Sequence, residues 1–155
     1  MPDAKDGAAG PARLEVHEHA GRVRVSSGTL WESSVGYSRA VRIGPRVWVS
    51  GTTATLPDGT IAGPGDAYTQ TRQIVANLER ALAALGGSLA DVVRLRVYVI
   101  DQADWPAVGR VLGEAFGTVR PANTLVGVAW LVDPAMQVEI DADAWLSVEP
   151  GSGAI

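Results

Sequence analysis

The residues of this chain with the clearest chemical potential are three carboxylates near its C-terminal end. Glu139, Asp141 and Asp143 alternate with apolar residues, and in a β-strand this spacing places all three side chains on one face. Arg94 and Arg96 alternate with apolar residues in the same way in an earlier segment. Opposite charges on two strands of one sheet can pair across it. The pattern therefore predicts a sheet face with facing acidic and basic rows.

Metal binding is one chemistry that the polar residues could support, and their spacing argues against it. Alternate residues of a strand lie about 7 Å apart with parallel side chains, so the three carboxylates do not converge on a hard cation. His17 and His19 could supply two ligands, but the chain has no third histidine, and zinc sites use three or four protein ligands. The chain has no cysteine, which excludes zinc–thiolate sites and cysteine nucleophiles. We predict no metal.

Composition narrows the remaining classes of protein. The 155 residues fit a single domain, and the net charge of -4 argues against nucleic-acid binding. No glycine-rich phosphate loop opens the helix that we predict below, so no nucleotide cofactor is expected. No apolar run approaches the roughly 20 residues of a membrane-spanning helix. The N-terminal residues lack the order of charges and apolar residues typical of a signal peptide, so we expect a cytoplasmic location.

Hydrophobic periodicity indicates which elements position these residues. Segments 1–12 and 148–155 are rich in small and turn-forming residues, and we predict flexible ends around one domain at 13–147. The predicted elements within it follow in chain order: an edge strand within 14–27, a hairpin of 37–43 and 46–50, a helix from the cap Asp66 to Gly86, a strand at 92–100, a helix from the cap Asp104 to Gly117, and strands at 124–131 and 136–145. This is an α+β layout, a mixed sheet with two helices on one face.

The second face of the predicted sheet has two interpretations. Tyr98, Thr124 and Trp130 are expected to share it with the charged rows. A face that mixes aromatic residues with pairable charges is suited to burial against another subunit, which would favour a closed cyclic oligomer. The alternative is a solvated polar face, which is common in antiparallel sheets.

The order of short motifs along the chain resembles the YjgF/RidA family of reactive-intermediate deaminases, also known as endoribonuclease L-PSP. Each motif is weak alone, but their order and spacing are specific. The motifs are Gly36-Tyr37-Ser38-x-Ala40, Val49-Ser50-Gly51, Gln70-Thr71, Asp91-Val92-Val93, Glu114-Ala115-Phe116-Gly117, Arg120-Pro121-Ala122 and Val138-Glu139-Ile140. The resemblance implies a chorismate-mutase-like fold and a homotrimer that binds a small molecule in clefts between neighbouring subunits.

The resemblance also implies roles for particular residues. Glu139 matches the glutamate that positions the hydrolytic water, and Tyr37 and Ser50 match positions that line the cleft. The family's deaminases have an arginine after Pro-Ala that grips the substrate carboxylate, whereas this chain has Asn123 at that position. An amide has no charge, so an amino-acid-derived imine is expected to bind poorly. Arg120 either substitutes for the missing cation or is an exposed loop residue.

Each remaining candidate also has a structural interpretation, and the function stays open between two classes. Glu139 could form an ion pair with Arg94 or Arg96, Tyr37 could be a packing residue, and the Ser50 hydroxyl could cap the backbone. One function is hydrolysis of a reactive imine or enamine other than the usual 2-imino acids. The other is a trimer that binds a small metabolite without turnover.

Two further expectations follow from the same residues. A ribonuclease is disfavoured, because the chain is acidic and lacks a paired histidine acid and base. Among the tryptophans, Trp31 with its neighbour Glu32 is the one that we expect to reach the cleft.

Overall fold

A computed structural model describes residues 13–147, and the two predicted flexible ends lie outside the described residues. The strands are β1 (Glu15–His19), β2 (Arg22–Ser26), β3 (Ala40–Ile43), β4 (Arg46–Thr52), β5 (Val92–Val99), β6 (Ala122–Gly127) and β7 (Val138–Trp145). The α-helices are α1 (Leu30–Val35), α2 (Ala67–Ala84) and α3 (Trp105–Phe116). Within this part of the chain, no helix is both long enough and apolar enough to cross a membrane.

One seven-stranded mixed sheet holds the fold together, in the order β1-β2-β3-β4-β7-β5-β6. Strands β5 and β6 are parallel, and the other neighbouring pairs are antiparallel. The parallel pair is joined through α3, as a parallel connection requires a crossover. This arrangement confirms the predicted α+β class, and it places β7 inside the sheet between β4 and β5.

The longer helices cover one face of the sheet. Helix α2 packs against β4, β7 and α3. Its apolar residues recur at helical spacing, and Ile74, Leu78 and Leu82 have no exposed surface. The predicted cap is confirmed, because the backbone N–H of Thr69 donates to Asp66 Oδ1 at 3.1 Å.

The second face of the sheet holds the predicted charged rows. Arg96 donates to Asp141 at 2.6 Å and to Asp143 at 3.1 Å, and the Tyr98 hydroxyl donates to Asp141 at 2.8 Å. The basic and acidic rows therefore do face each other across β5 and β7. Trp130, in contrast, lies outside the sheet and is 72% exposed, so its predicted place on this face is wrong.

Several predicted elements differ from the structure, each for a local reason. The single edge strand within 14–27 is a hairpin of β1 and β2, because Ala20 and Gly21 take positive φ angles of 50° and 74° and turn the chain. A third helix, α1, was missed because six residues are too few to show helical periodicity. Asp104 does not cap α3 with its side chain; it ends a short 3₁₀ turn that is capped by Asp101 instead.

Candidate functional site

Glu139 lies on β7, on the second face of the sheet, with Tyr98 as its partner in the β5 register. Its carboxylate rests directly above the backbone of Gly51. A Cβ atom built on Gly51 would lie 1.9 Å from Glu139 Oε1, so any side chain at position 51 would occupy the space that the carboxylate fills. Strand β4 has a register irregularity between Val49 and Thr52, and a bulge of this kind is a common way to redirect groups beside a functional site.

The environment of Glu139 favours a proton-accepting carboxylate. Burial raises the pKa of Glu139, the Arg39 cation opposes this change, and the negative charge of Asp141 adds to it. Among residues 13–147, no hydrogen bond or ion pair holds the Glu139 carboxylate. The alternative of a pair with Arg94 or Arg96 is therefore not realised.

The two arginines that could have paired with Glu139 are engaged elsewhere. Arg96 binds Asp141 and Asp143. Arg94 donates to the Thr124 hydroxyl at 3.3 Å. The acidic row therefore divides into two aspartates that share the Arg96 cation and one glutamate that has no direct partner among the described residues.

Arg39 is the functional candidate that sequence reasoning missed. Its guanidinium donates to the carbonyl oxygen of Gly51 and lies 5.8 Å from the centre of the Tyr37 ring. Burial lowers the pKa of Arg39, while Tyr37, Glu32 and Glu139 oppose that shift; arginine nevertheless remains a cation at neutral pH. Its Nε atom is buried and has no hydrogen-bond partner in the described part of the chain. The only signal in the sequence was an arginine at the variable position of the motif 36–40.

An open cavity of about 760 Å³ lies next to Tyr37, the ring that Arg39 approaches, and neither Arg39 nor Glu139 is among its lining residues. Tyr37 and Ser50, both predicted to line a cleft, lie in its wall. Tyr37 is 37% exposed, so it is available to a ligand. The Ser50 hydroxyl donates to the Ser38 carbonyl at 2.7 Å, which realises its predicted structural role as well.

Glu32 anchors α1 beside this cavity. Its side chain is buried and accepts hydrogen bonds from the Ser26 hydroxyl at 2.6 Å and from the Ser27 backbone N–H at 3.0 Å. Glu32 lines the cavity, whereas Trp31 does not. This cavity belongs to a single chain, so the expectation that the pair reaches a cleft between subunits stays a prediction.

Asn123 does not meet Glu139 within one chain. On β6 it pairs with Leu95, whose side chain is in the helix-covered core, whereas Glu139 pairs with Tyr98 on the opposite face. The two residues are separated by two strand spacings and three residues along the strands. Their α-carbons are therefore roughly 14 Å apart, with the side chains on opposite sides of the sheet.

Arg120 lies in the loop that precedes β6. It is exposed and takes a left-handed φ of 53°, and its backbone N–H donates to the Phe116 carbonyl at 2.8 Å. Its position in the described chain agrees with the interpretation as a loop cation. Across residues 13–147, no group of three or more histidines and acids is arranged to hold a metal ion.

Comparison with known proteins finds a matching family model and similar solved structures. A family model described as endoribonuclease L-PSP matches residues 29–146. A crystal structure of Rv2704 from Mycobacterium tuberculosis, a member of the YjgF/YER057c/UK114 family, is 49% identical with a TM-score of 0.74; the match covers 81% of this chain and 99% of that chain.

Two protein sequences extend the comparison. An uncharacterized protein of Streptomyces coelicolor is 40% identical over 79% of this chain and 90% of its own length. The 3-aminoacrylate deaminase RutC of Acinetobacter baylyi is 36% identical over 67% of this chain and 82% of its own length.

Proposed function

The chain belongs to the endoribonuclease L-PSP family, to which the YjgF/RidA deaminases also belong, and from this premise we propose that it hydrolyses a reactive imine or enamine. The observation that carries the proposal is the Glu139 carboxylate. It is half-buried, has no direct partner in the described chain, and interacts with the Arg39 cation, which lies 5.8 Å from the ring of Tyr37 in the wall of an open cavity. A carboxylate in this setting can accept a proton from water.

The reaction needs one water molecule and no redox partner. Glu139 takes a proton from water while the oxygen attacks the carbon of the C=N bond, and the nitrogen gains a proton. The resulting carbinolamine collapses to a carbonyl compound, and ammonia or an amine leaves. An enamine follows the same route after a proton adds to its carbon. Tyr37 and Ser50 lie in the wall of the cavity that would hold the substrate.

The substrate class follows from position 123. A neutral amide there lacks the charge-assisted, bidentate grip that an arginine gives a carboxylate, which is worth about 1.5–3 kcal/mol. We therefore propose a substrate other than the usual 2-imino acids. The similarity to a 3-aminoacrylate deaminase supports a substrate of the enamine class, because 3-aminoacrylate is an enamine and not a 2-imino acid.

The proposed site lies between subunits of a homotrimer. Asn123 and Glu139 are too far apart to share a pocket in one chain, so a pocket that contains both requires a second copy. The exposed aromatic residues Trp48 and Trp145 on the same sheet face suit burial against a neighbour. Light scattering is expected to give three times the 16.2 kDa of one chain, and a particle of one chain would refute the shared pocket.

The experiment that tests the function follows the loss of imines generated in situ by oxidation of amino acids and simple amines. The wild type is compared with Glu139→Gln and with Glu79→Gln, which removes an exposed charge on α2. We expect loss of turnover only in the first variant. Asn123→Arg is expected to gain activity on 2-imino acids. If the wild type consumes no imine faster than buffer does, the hydrolase proposal fails, and the non-catalytic metabolite-binding trimer is the alternative to test next.

The cellular location is part of the same proposal. A cytoplasmic protein would meet reactive imines where metabolic enzymes release them. Fractionation of cells that express the tagged chain tests this, and recovery of the chain in the exported fraction would contradict it.

A further inference from the structure

The β1–β2 hairpin adds to the candidate cavity from outside the family-matched region. The match begins at residue 29, whereas β1 and β2 end before it. Strand β2 pairs with β3, with Arg22 opposite Ile43 and Arg24 opposite Val41. Since the core residue Val25 points to the helix layer, the alternation of β2 sends Arg22 and Arg24 to the other face. There both side chains line the cavity.

These two arginines are the unneutralised charges of the cavity wall. Both are exposed, and neither has an acidic partner within 4.0 Å among residues 13–147. The one carboxylate in the wall, Glu32, is already engaged by Ser26 and Ser27. The chain as a whole carries a net charge of -4. A cavity wall with two guanidinium groups that have no acidic partner is therefore more positive than the average surface of the chain.

Glu139 does not line this cavity, but Arg39 interacts with a residue of the cavity wall and with Glu139. The Arg39 guanidinium lies 5.8 Å from the centre of the Tyr37 ring in the cavity wall, and its charge interacts with those of Glu32 and Glu139. A ligand that binds the hairpin arginines and extends past Tyr37 therefore reaches the surroundings of Arg39, the cation that interacts with the carboxylate.

We propose that Arg22 and Arg24 form an anion-binding subsite that holds the carboxylate or phosphate of a small ligand, with the rest of that ligand directed toward Glu139. The inference rests on the proposed function in taking this cavity as the substrate pocket. Two guanidinium groups on alternate strand residues start about 7 Å apart, and their long side chains can converge on one anion. Each group offers the fork of donors that matches a carboxylate or phosphate.

Binding is tested first, without any reaction. Butanoate, its neutral analogue butanamide and inorganic phosphate are titrated by NMR into the wild type and into the double variant Arg22→Gln/Arg24→Gln. The control is Arg72→Gln, which removes an exposed charge on α2 in the helix layer. For butanoate we expect binding at least about tenfold weaker in the double variant, and unchanged binding in the control.

Each outcome of the titration decides the proposal. Phosphate that binds more tightly than butanoate, with the same dependence on the two arginines, supports the subsite and identifies phosphate as its anion. Equal butanoate affinity in the wild type and the double variant overturns the proposal. An equal loss in Arg72→Gln also overturns it, because the effect would then be one of net charge. If the double variant binds butanamide more weakly by the same factor as butanoate, the cavity has collapsed. That result would also count against an anion site.

Kinetics separate this inference from the proposed function. The imines formed by oxidation of 4-aminobutanoate and of butylamine differ in one remote carboxylate. The subsite predicts a higher kcat/KM for the anionic imine in the wild type, and equal values in the double variant. Turnover of both imines at rates that the double variant leaves unchanged would refute the subsite while the function stands. Absence of turnover together with arginine-dependent butanoate binding would refute the function while the subsite stands.

Discussion

Substitution of Gly51 by alanine tests whether the position of the Glu139 carboxylate controls turnover. The new Cβ would lie 1.9 Å from Glu139 Oε1 and 2.9 Å from its Cδ. An ordinary contact needs about 3.4 Å, so the carboxylate must move by roughly 1.5 Å. The backbone carbonyl that binds Arg39 is kept in the variant. The change therefore displaces the carboxylate without removing a charge or a hydrogen-bonding group.

The expected loss of activity follows from that displacement. A misplacement of about 1 Å in a reacting group can lower turnover by about 100-fold, so we expect kcat to fall by at least that factor. KM is expected to change less, because the cavity wall at Tyr37 and Ser50 is untouched. The measurement is the steady-state rate of imine loss, with circular dichroism to show that the variant is folded.

A matched control and a double variant make this result decisive. Gly113 lies on α3, and a Cβ built there meets no atom within 4 Å. Gly113→Ala should keep wild-type activity and gain roughly 0.5–1 kcal/mol of stability. If Gly51→Ala acts through Glu139, adding it to Glu139→Gln should cost nothing further. A folded Gly51→Ala variant with the wild-type kcat would refute the assignment of Glu139 as the group that positions water.

Four further predictions concern the charges and the core. Arg39→Gln removes the cation that lowers the pKa of Glu139, so the acid limb of the kcat/KM profile should move to higher pH; an unmoved limb would contradict the coupling. Because burial raises the pKa of Glu139, the native state holds its proton more tightly than the unfolded state, and this carboxylate costs stability as pH rises above its ordinary value near 4.3. Glu139→Gln should therefore raise the Tm at pH 7 and lose that advantage at acid pH, and a lower Tm at pH 7 would count against the shift. Asp66→Ala should lower the Tm by roughly 2–5 °C, because it removes the side-chain cap of α2. Asp104→Ala should not lower the Tm in this way, because the Asp104 side chain does not cap α3. Leu78→Ala, at a fully buried position, should cost about 2–5 kcal/mol of unfolding free energy by denaturant titration, and a cost below 1 kcal/mol would contradict its place in the core.

The elements of this fold are predictable where one local signal dominates. Helix α2 has helical spacing, an N-terminal cap and a following glycine, so its bounds were predicted to within two residues. The alternation of β7 was likewise confirmed, with its apolar residues buried. On β5 the same reasoning failed at one position. Val93 is 50% exposed because a register irregularity between Val92 and Arg94 interrupts the alternation, and no residue type in the sequence marks that bulge.

The candidate site was predictable only in part, because it depends on contacts between distant segments. Glu139, Tyr37 and Ser50 were identified by family resemblance, and the structure places the last two in one cavity wall. The contact of Glu139 with Gly51 joins residues 88 positions apart, and the role of Arg39 depends on that contact. Neither can be read from periodicity, which reports only which side of a strand a residue occupies.

The neutral amide at position 123 and the buried cation at position 39 bear on different parts of the proposed reaction. An arginine that grips a substrate carboxylate acts on binding. Arg39 acts on the water-activating group, because its charge opposes the rise in the pKa of Glu139 that burial causes and so favours the ionised form that accepts a proton. A neutral side chain at position 123 can therefore weaken the grip on 2-imino acids while Glu139 keeps its capacity to deprotonate the water that attacks a C=N bond. This separation is why we expect a change of substrate rather than a loss of chemistry.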